Sequence, residues 1–298
     1  FSHKIYTGTD EVALQANHLS GDSFTDISFT LHKGEIIAIT GLQSSGRDML
    51  ADALFGIKPH TGQLIVMGKK VEKTTIRRMM RLGVGMVPRS RKERGIHNHL
   101  SIIDNNSMGF YNTHLKTLLI NPKLEKARYL RVKEALSLKA SNPKNPITSL
   151  SGGNQQKVIL GRWLETNASI LIFDNPTQGI DVGTKFEIYH LIIKLAQSGK
   201  AILVFSHEFP EIYKLADSCI VLYQGQINAV LTRDQLTEKN MMYYSTGSNL
   251  EGKKHDQISN VQRQQRIFPA HRREEAFFRL QLHGFLYSDP GNCPIRKP

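Results

Sequence analysis

Apolar and polar positions alternate from about residue 10 to 35, in VALQANHL (Val12–Leu19) and FTDISFTLHKGE (Phe24–Glu35). That period of two predicts an antiparallel strand pair turning around Gly21. A continuous apolar run, Ile36–Thr40, then leads through GLQSSGRD (Gly41–Asp48) into the helical pattern DMLADALFG, and Gly62–Val71 reads as a further hairpin. Between about 95 and 165 the strand signals fade: Lys123–Leu138 carries helical spacing, and a second helix runs through Gly161, Arg162 and Trp163. From Ile170 onwards short apolar runs (Ile170–Phe173, Ala201–Phe205, Ser218–Ile227) alternate with helical stretches, which predicts a parallel sheet with crossover helices. The pattern stops near Gly247. The next twenty residues are polar and expected to be disordered, and Glu275–Tyr287 is apolar enough for an amphipathic helix. The tail is read as non-native or divergent.

With 298 residues the chain can bury one substantial core. No apolar run approaches the ~20 residues that cross a bilayer, and no signal peptide opens the chain, so a soluble, cytosolic protein is expected whose membrane role comes through partners. The start at Phe1 suits a fragment of a longer protein. Cys219 and Cys293 form neither a disulfide framework nor a metal spacing. A net charge of +13 raises the question of nucleic acid, but the basic clusters Ile76–Arg81, Arg89–Arg94 and His271–Arg273 lack interleaved aromatics. Solvated faces or nearby phosphate explain them better, and no nucleic-acid partner is expected.

The chemistry concentrates in four places. LSGGNQQKV (Leu150–Val158) has a serine able to cap a helix and two glycines, Gly152 and Gly153, whose missing Cβ atoms let backbone amides approach an anion. The helix N-terminus there adds roughly half a positive charge. Asp174 ends the apolar run SILIFDNPTQGID, which predicts a buried parallel strand delivering a carboxylate at its C-terminal end. Gly41–Asp48 has the strand–loop–helix setting of a phosphate-binding loop, and His207 follows the strand AILVF.

These four items in this order resemble the nucleotide-binding domain of ABC transporters: Walker A, signature, Walker B and H-loop. LSGGNQQKV, PTQGIDVGTK and the GRD that ends the first loop look like the second, C-terminal cassette of sugar importers of the ribose and galactose type. The resemblance covers about residues 10–245. It implies an α/β P-loop NTPase fold: a parallel-sheet core, an N-terminal antiparallel subdomain, and a helical signature subdomain at about 95–165 within a cassette spanning 1–246. It also implies ATP and Mg2+ as ligands, with Gly41, Gly46, Arg47, Asp48 and Asp174 at the chain's own site and Asp174 supporting the metal. Ser151, Gly152, Gly153 and Asp181 would serve the ATP of a head-to-tail partner cassette. Transmembrane permease subunits and, indirectly, a periplasmic sugar-binding protein are the further partners implied, with the chain peripheral at the cytoplasmic face of the membrane.

Three departures weaken the chain's own site. Arg47 stands where a P-loop has lysine, as is common in the family's second cassette, but Asp48 replaces the hydroxyl that would face magnesium. Asn175 occupies the position of the hydrolytic glutamate; an asparagine can orient a water but cannot take its proton. Arg89 and Ser90 replace two acidic positions in the Q-loop region VPRSRKERG and offer no carboxylate to a metal. His207 remains placed to contact a γ-phosphate, and Phe24 is a weak candidate for adenine stacking. Two competing readings are a decayed cassette fragment and a non-transport regulatory protein acting on nucleic acid.

Overall fold

A computed structural model of the protein describes residues 8–114 and 120–248. The N-terminal alternation becomes β1 (Val12–Gly21) and β2 (Phe24–His32), paired antiparallel, and the apolar run becomes β3 (Ile36–Thr40). Helix α1 (Arg47–Phe55) and the hairpin β4 (Thr61–Val66) and β5 (Lys69–Val71) follow. Next come α2 (Ile76–Arg81) and β6 (Val84–Val87), then a π-helical turn at Arg91–Gly95. Three helices, α3 (Ile102–His114), α4 (Pro122–Ala135) and α5 (Gly152–Leu164), fill the region where strand signals fade. The remaining elements are β7 (Ile170–Asp174), α6 (Val182–Gln197), β8 (Ala201–Phe205), α7 (Phe209–Leu215), β9 (Ser218–Tyr223), β10 (Gln226–Thr232) and α8 (Glu238–Ser245).

Two sheets result. One is antiparallel with order β2-β1-β4-β5; the other has order β10-β9-β3-β8-β7-β6, in which all pairs but β9–β10 are parallel. The strands β3, β7 and β8 are buried at every residue, which is why they read as unbroken apolar runs rather than alternating ones. This is the expected α/β architecture. From residue 249 on, the expected disordered run and amphipathic helix lie outside the described residues. Among the described residues no helix is long and apolar enough to cross a membrane.

Helix α5 is tied to the sheet through one side chain. Trp163 on α5 lies flat over Gly85 of β6, where a Cβ would come within 2.8 Å of the indole, and its Nε1 donates to the Met86 carbonyl at 2.7 Å. Deeper in the helical layer, Arg162 donates to the carbonyls of Asn105 and Gly95, each at 3.0 Å, and burial lowers its guanidinium to about 10. The C-terminal end of α5 is thereby fastened to β6 and to the start of the helical layer.

Candidate functional site

The loop between β3 and α1 requires glycine at one point. Gly46 has φ 85° and a Cβ there would stand 2.0 Å from the Ser23 carbonyl, so the chain can enter α1 here only without a side chain. Ser44 is also in the left-handed region, at φ 72°, which folds the loop amides inward in the manner of an anion-binding nest. The buried Ser45 hydroxyl has no partner. A cavity of about 690 Å³ opens beside the loop, lined by Gly41–Met49 together with His207, Phe209 and Met242. Such a loop fits a polyphosphate: the buried Ser45 hydroxyl has no partner among the described residues, and α1 adds the positive end of its dipole.

Arg47, expected to neutralise phosphate, is turned back on the loop. Its Nη1 donates to the Gly41 carbonyl at 3.3 Å and its Nε to Asp48 Oδ1 at 3.2 Å. Asp48 is half exposed. Phe24 is 2 % exposed and packed into the core, so it offers no face to adenine; that expectation is corrected, because β2 turns this ring inward.

Asp174 ends β7 with its carboxylate fully buried, and both of its oxygens are engaged. Oδ2 accepts from Arg89 Nη1 at 2.9 Å, and Oδ1 accepts from Asn175 Nδ2 at 3.2 Å. Because a carboxylate only accepts, the amide nitrogen of Asn175 must face Asp174 and its Oδ1 must face His207 Nδ1, 2.8 Å away. His207 therefore donates from Nδ1, and its Nε2 can donate to a phosphate only when the ring carries both protons. The result is a line of four side chains, Arg89–Asp174–Asn175–His207, reaching from the π-helical turn to the edge of the cavity.

Arg89 holds more than one acid. Its Nη2 reaches Asp52 Oδ2 at 3.3 Å and its Nη1 the Asp48 carbonyl at 3.3 Å, while Arg94 donates to Asp52 Oδ1 at 2.8 Å. Burial pushes the Asp174 carboxyl up to about 6; Arg89 opposes the rise, and Asp48 and Asp52 reinforce it. Arg89 is held more firmly charged than a free arginine, although burial opposes its charge, because Asp174, Asp52 and Asp48 all surround it. Arg89 is shared between Asp174 and Asp52, while Asp52 also has Arg94 and Asp48 has Arg47. The basic cluster Arg89–Arg94 is thus not a solvated face: Arg89 and Arg94 are spent on acids, and Arg91 on Gln155.

These donors do not fit a divalent cation beside Asp174. A guanidinium and an amide cover its oxygens, and Asp48 replaces the hydroxyl a P-loop uses for magnesium. Among the described residues no three His, Cys, Asp or Glu side chains come close enough to hold a metal ion.

At the other motif, Ser151 caps α5, its exposed Oγ accepting from the Asn154 amide at 3.4 Å. Gly153 is needed for packing as well: a Cβ would lie 2.2 Å from Thr184 of α6. Asp181 caps α6 through Thr184 N at 3.0 Å, and those hydrogen bonds hold its exposed carboxyl below the usual range. Arg91 lies over Gly152, with Nη2 2.9 Å from where a Cβ would stand, and burial lowers its pKa. The structure therefore brings Gly41, Gly46, Arg47, Asp48, Asp174, Asn175 and His207 to one end of the parallel sheet, and Ser151, Gly152, Gly153 and Asp181 to the junction of α5 and α6. Asp52, Arg94 and the placement of Arg91 escape sequence reasoning. Asp52 alone had a visible signal, a second carboxylate one helical turn after Asp48.

Comparison with known proteins matches residues 24–178 to the family described as ABC transporter. The chain is 41% identical over 254 residues to a Geobacillus kaustophilus (strain HTA426) protein provisionally named a ribose/galactose/methyl galactoside import ATP-binding protein, covering 85% of this chain and 50% of that one. It is 40% identical over 225 residues to a ribose import ATP-binding protein of Rhizobium meliloti (strain 1021), covering 75% and 45%. The chain spans about half the length of these curated relatives. Among solved structures, a dimeric ATP-binding cassette bound to ADP and Pi superposes with a TM-score of 0.63 at 19% identity, covering 74% of this chain and 98% of that one, a likeness of fold.

Proposed function

The chain belongs to the ABC transporter family, and from that premise we propose that it is the second, C-terminal cassette of a carbohydrate importer, with its own site unable to hydrolyse ATP and its signature helix completing a partner cassette's site. In this reading the cassette extends to about residue 246, and Ser151, Gly152, Gly153 and Asp181 face the γ-phosphate held by the partner. Closure of the two cassettes then drives permease subunits in the membrane, fed by a periplasmic sugar-binding protein, with this chain peripheral on the cytoplasmic side.

The observation that carries the reading is the contrast between the two motifs. At the chain's own site the side chain after Asp174 is an amide, held between Asp174 and His207 at 3.2 and 2.8 Å, and an amide takes no proton from water. At the signature the serine and glycines are intact, and Ser151 stands exposed at the positive end of a 13-residue helix. The relatives' names, which concern ribose and galactose import, support the carbohydrate class.

The test is ATP turnover. The chain alone should hydrolyse at background; mixing it with an intact first cassette of the same importer should raise hydrolysis, and Ser151→Arg in this chain should remove that gain. Robust turnover by the chain alone, lost on changing His207, would overturn the proposal, as would a mixed activity that ignores Ser151→Arg.

A further inference from the structure

We infer that Arg89 is a built-in replacement for a divalent cation, so that the loop Gly41–Asp48 takes a nucleoside polyphosphate without metal. The inference rests on reading that loop as a phosphate cradle and concerns only the chain's own site. Arg89 joins the two elements that carry the acids: its guanidinium spans from Asp174 at the end of β7 to Asp52 and the Asp48 carbonyl on α1. These bonds pin the first turn of α1, and with it the loop, to the sheet, a task that otherwise falls to an ion placed between carboxylate and phosphate.

Charge excludes the simultaneous presence of both. Arg89 and Arg94 already match the buried acids Asp52 and Asp174, one for one. A divalent cation at Asp174 would sit against the Arg89 guanidinium in a region of low dielectric, with both Asp174 oxygens already engaged. It would also lack a route. The Asp174 side chain is completely covered, and neither it nor Arg89 lines the cavity beside the loop. What the cavity presents to a phosphate is the backbone of the loop and the Ser45 hydroxyl, which is buried and without a partner among the described residues. Asp48 sets a limit on affinity, since its carboxylate shares this rim.

The experiment titrates a fluorescent ATP analogue (MANT-ATP) against the full chain in excess EDTA and again in magnesium. Wild-type affinities in the two conditions should agree within about threefold. Arg89→Gln should bind at least about tenfold more weakly in EDTA and regain affinity with magnesium, while Arg89→Lys, which keeps a cation, should stay indifferent to the metal. Wild-type binding that collapses in EDTA overturns the inference, and so does the absence of binding in both conditions. The wild-type comparison decides the matter even where a variant is too unstable to purify. Either failure leaves the signature proposal standing, because hydrolysis recovered on mixing depends on Ser151 and on the partner's nucleotide.

Discussion

Replacing Arg89 by methionine removes the cation and keeps most of the stem, and its cost should depend on pH in a way the geometry dictates. In the unfolded chain the Asp174 carboxyl titrates at its ordinary 3.8; burial takes it to about 6 in the fold even with Arg89 at 2.9 Å. At about 1.4 kcal/mol per pH unit, the ionised carboxylate already costs the native state about 3 kcal/mol at neutral pH. The sign follows from a raised acid: the folded form holds its proton more tightly, so wild-type stability from this group falls between about pH 3.8 and 6 and is flat above. In Arg89→Met the carboxyl keeps its proton to higher pH, and the fall continues. The difference between variant and wild type from Asp174 should therefore be near zero at pH 5, stay under about 2 kcal/mol at pH 7, and approach about 3 kcal/mol at pH 8. Asp52 retains Arg94 at 2.8 Å, so losing Arg89 there adds a smaller offset. Urea unfolding of both proteins at pH 5, 6, 7 and 8 measures this. A difference that stays constant from pH 5 to 8, or shrinks as pH rises, would refute the account of Asp174 as a buried acid dependent on Arg89.

Two further outcomes follow from the same coordinates. Gly46→Ala should lower stability by at least about 2 kcal/mol in thermal or urea unfolding, because the new Cβ meets the Ser23 carbonyl at φ 85°; a loss under about 0.5 kcal/mol would mean the loop relaxes freely. Glu211, buried beside Ser206 and Thr177 which both donate to it, is pushed by burial up to about 7, so wild-type stability should decline as pH rises from about 4.5 to 7 by about 3 kcal/mol. Between pH 6 and 7, where Asp174 no longer contributes, Glu211→Gln should abolish that slope, and an unchanged slope would assign it elsewhere.

Much of the fold was legible because its signals are local. Period-two alternation gave β1 and β2, unbroken apolar runs gave β3, β7 and β8, and the serine–glycine–glycine run marked the start of α5. Asn175 was legible as an amide after the strand that ends in Asp174, since residue type is read directly. Less visible was α2: its sequence, IRRMMR, reads as a charge cluster, and Thr75 capping it supplies the boundary that composition hides.

The site's electrostatics depended on distance in space. Arg89 lies 85 residues from Asp174 and 37 from Asp52, so along the chain Arg89 and Ser90 could be read only as an absence of carboxylate. Folding turned that absence into an ion-paired network. A charge's effect is set by which groups share its low-dielectric surroundings, and β6, β7 and α1 become neighbours only when the sheet assembles. The same reason governs Phe24, whose burial depends on what packs against β2, and His207, whose donating nitrogen is set by the Asn175 oxygen it meets beyond β8. Local pattern thus determined the elements and the chemical types at their ends, whereas the pairing of those types, and with it whether the site accepts a metal, came from packing.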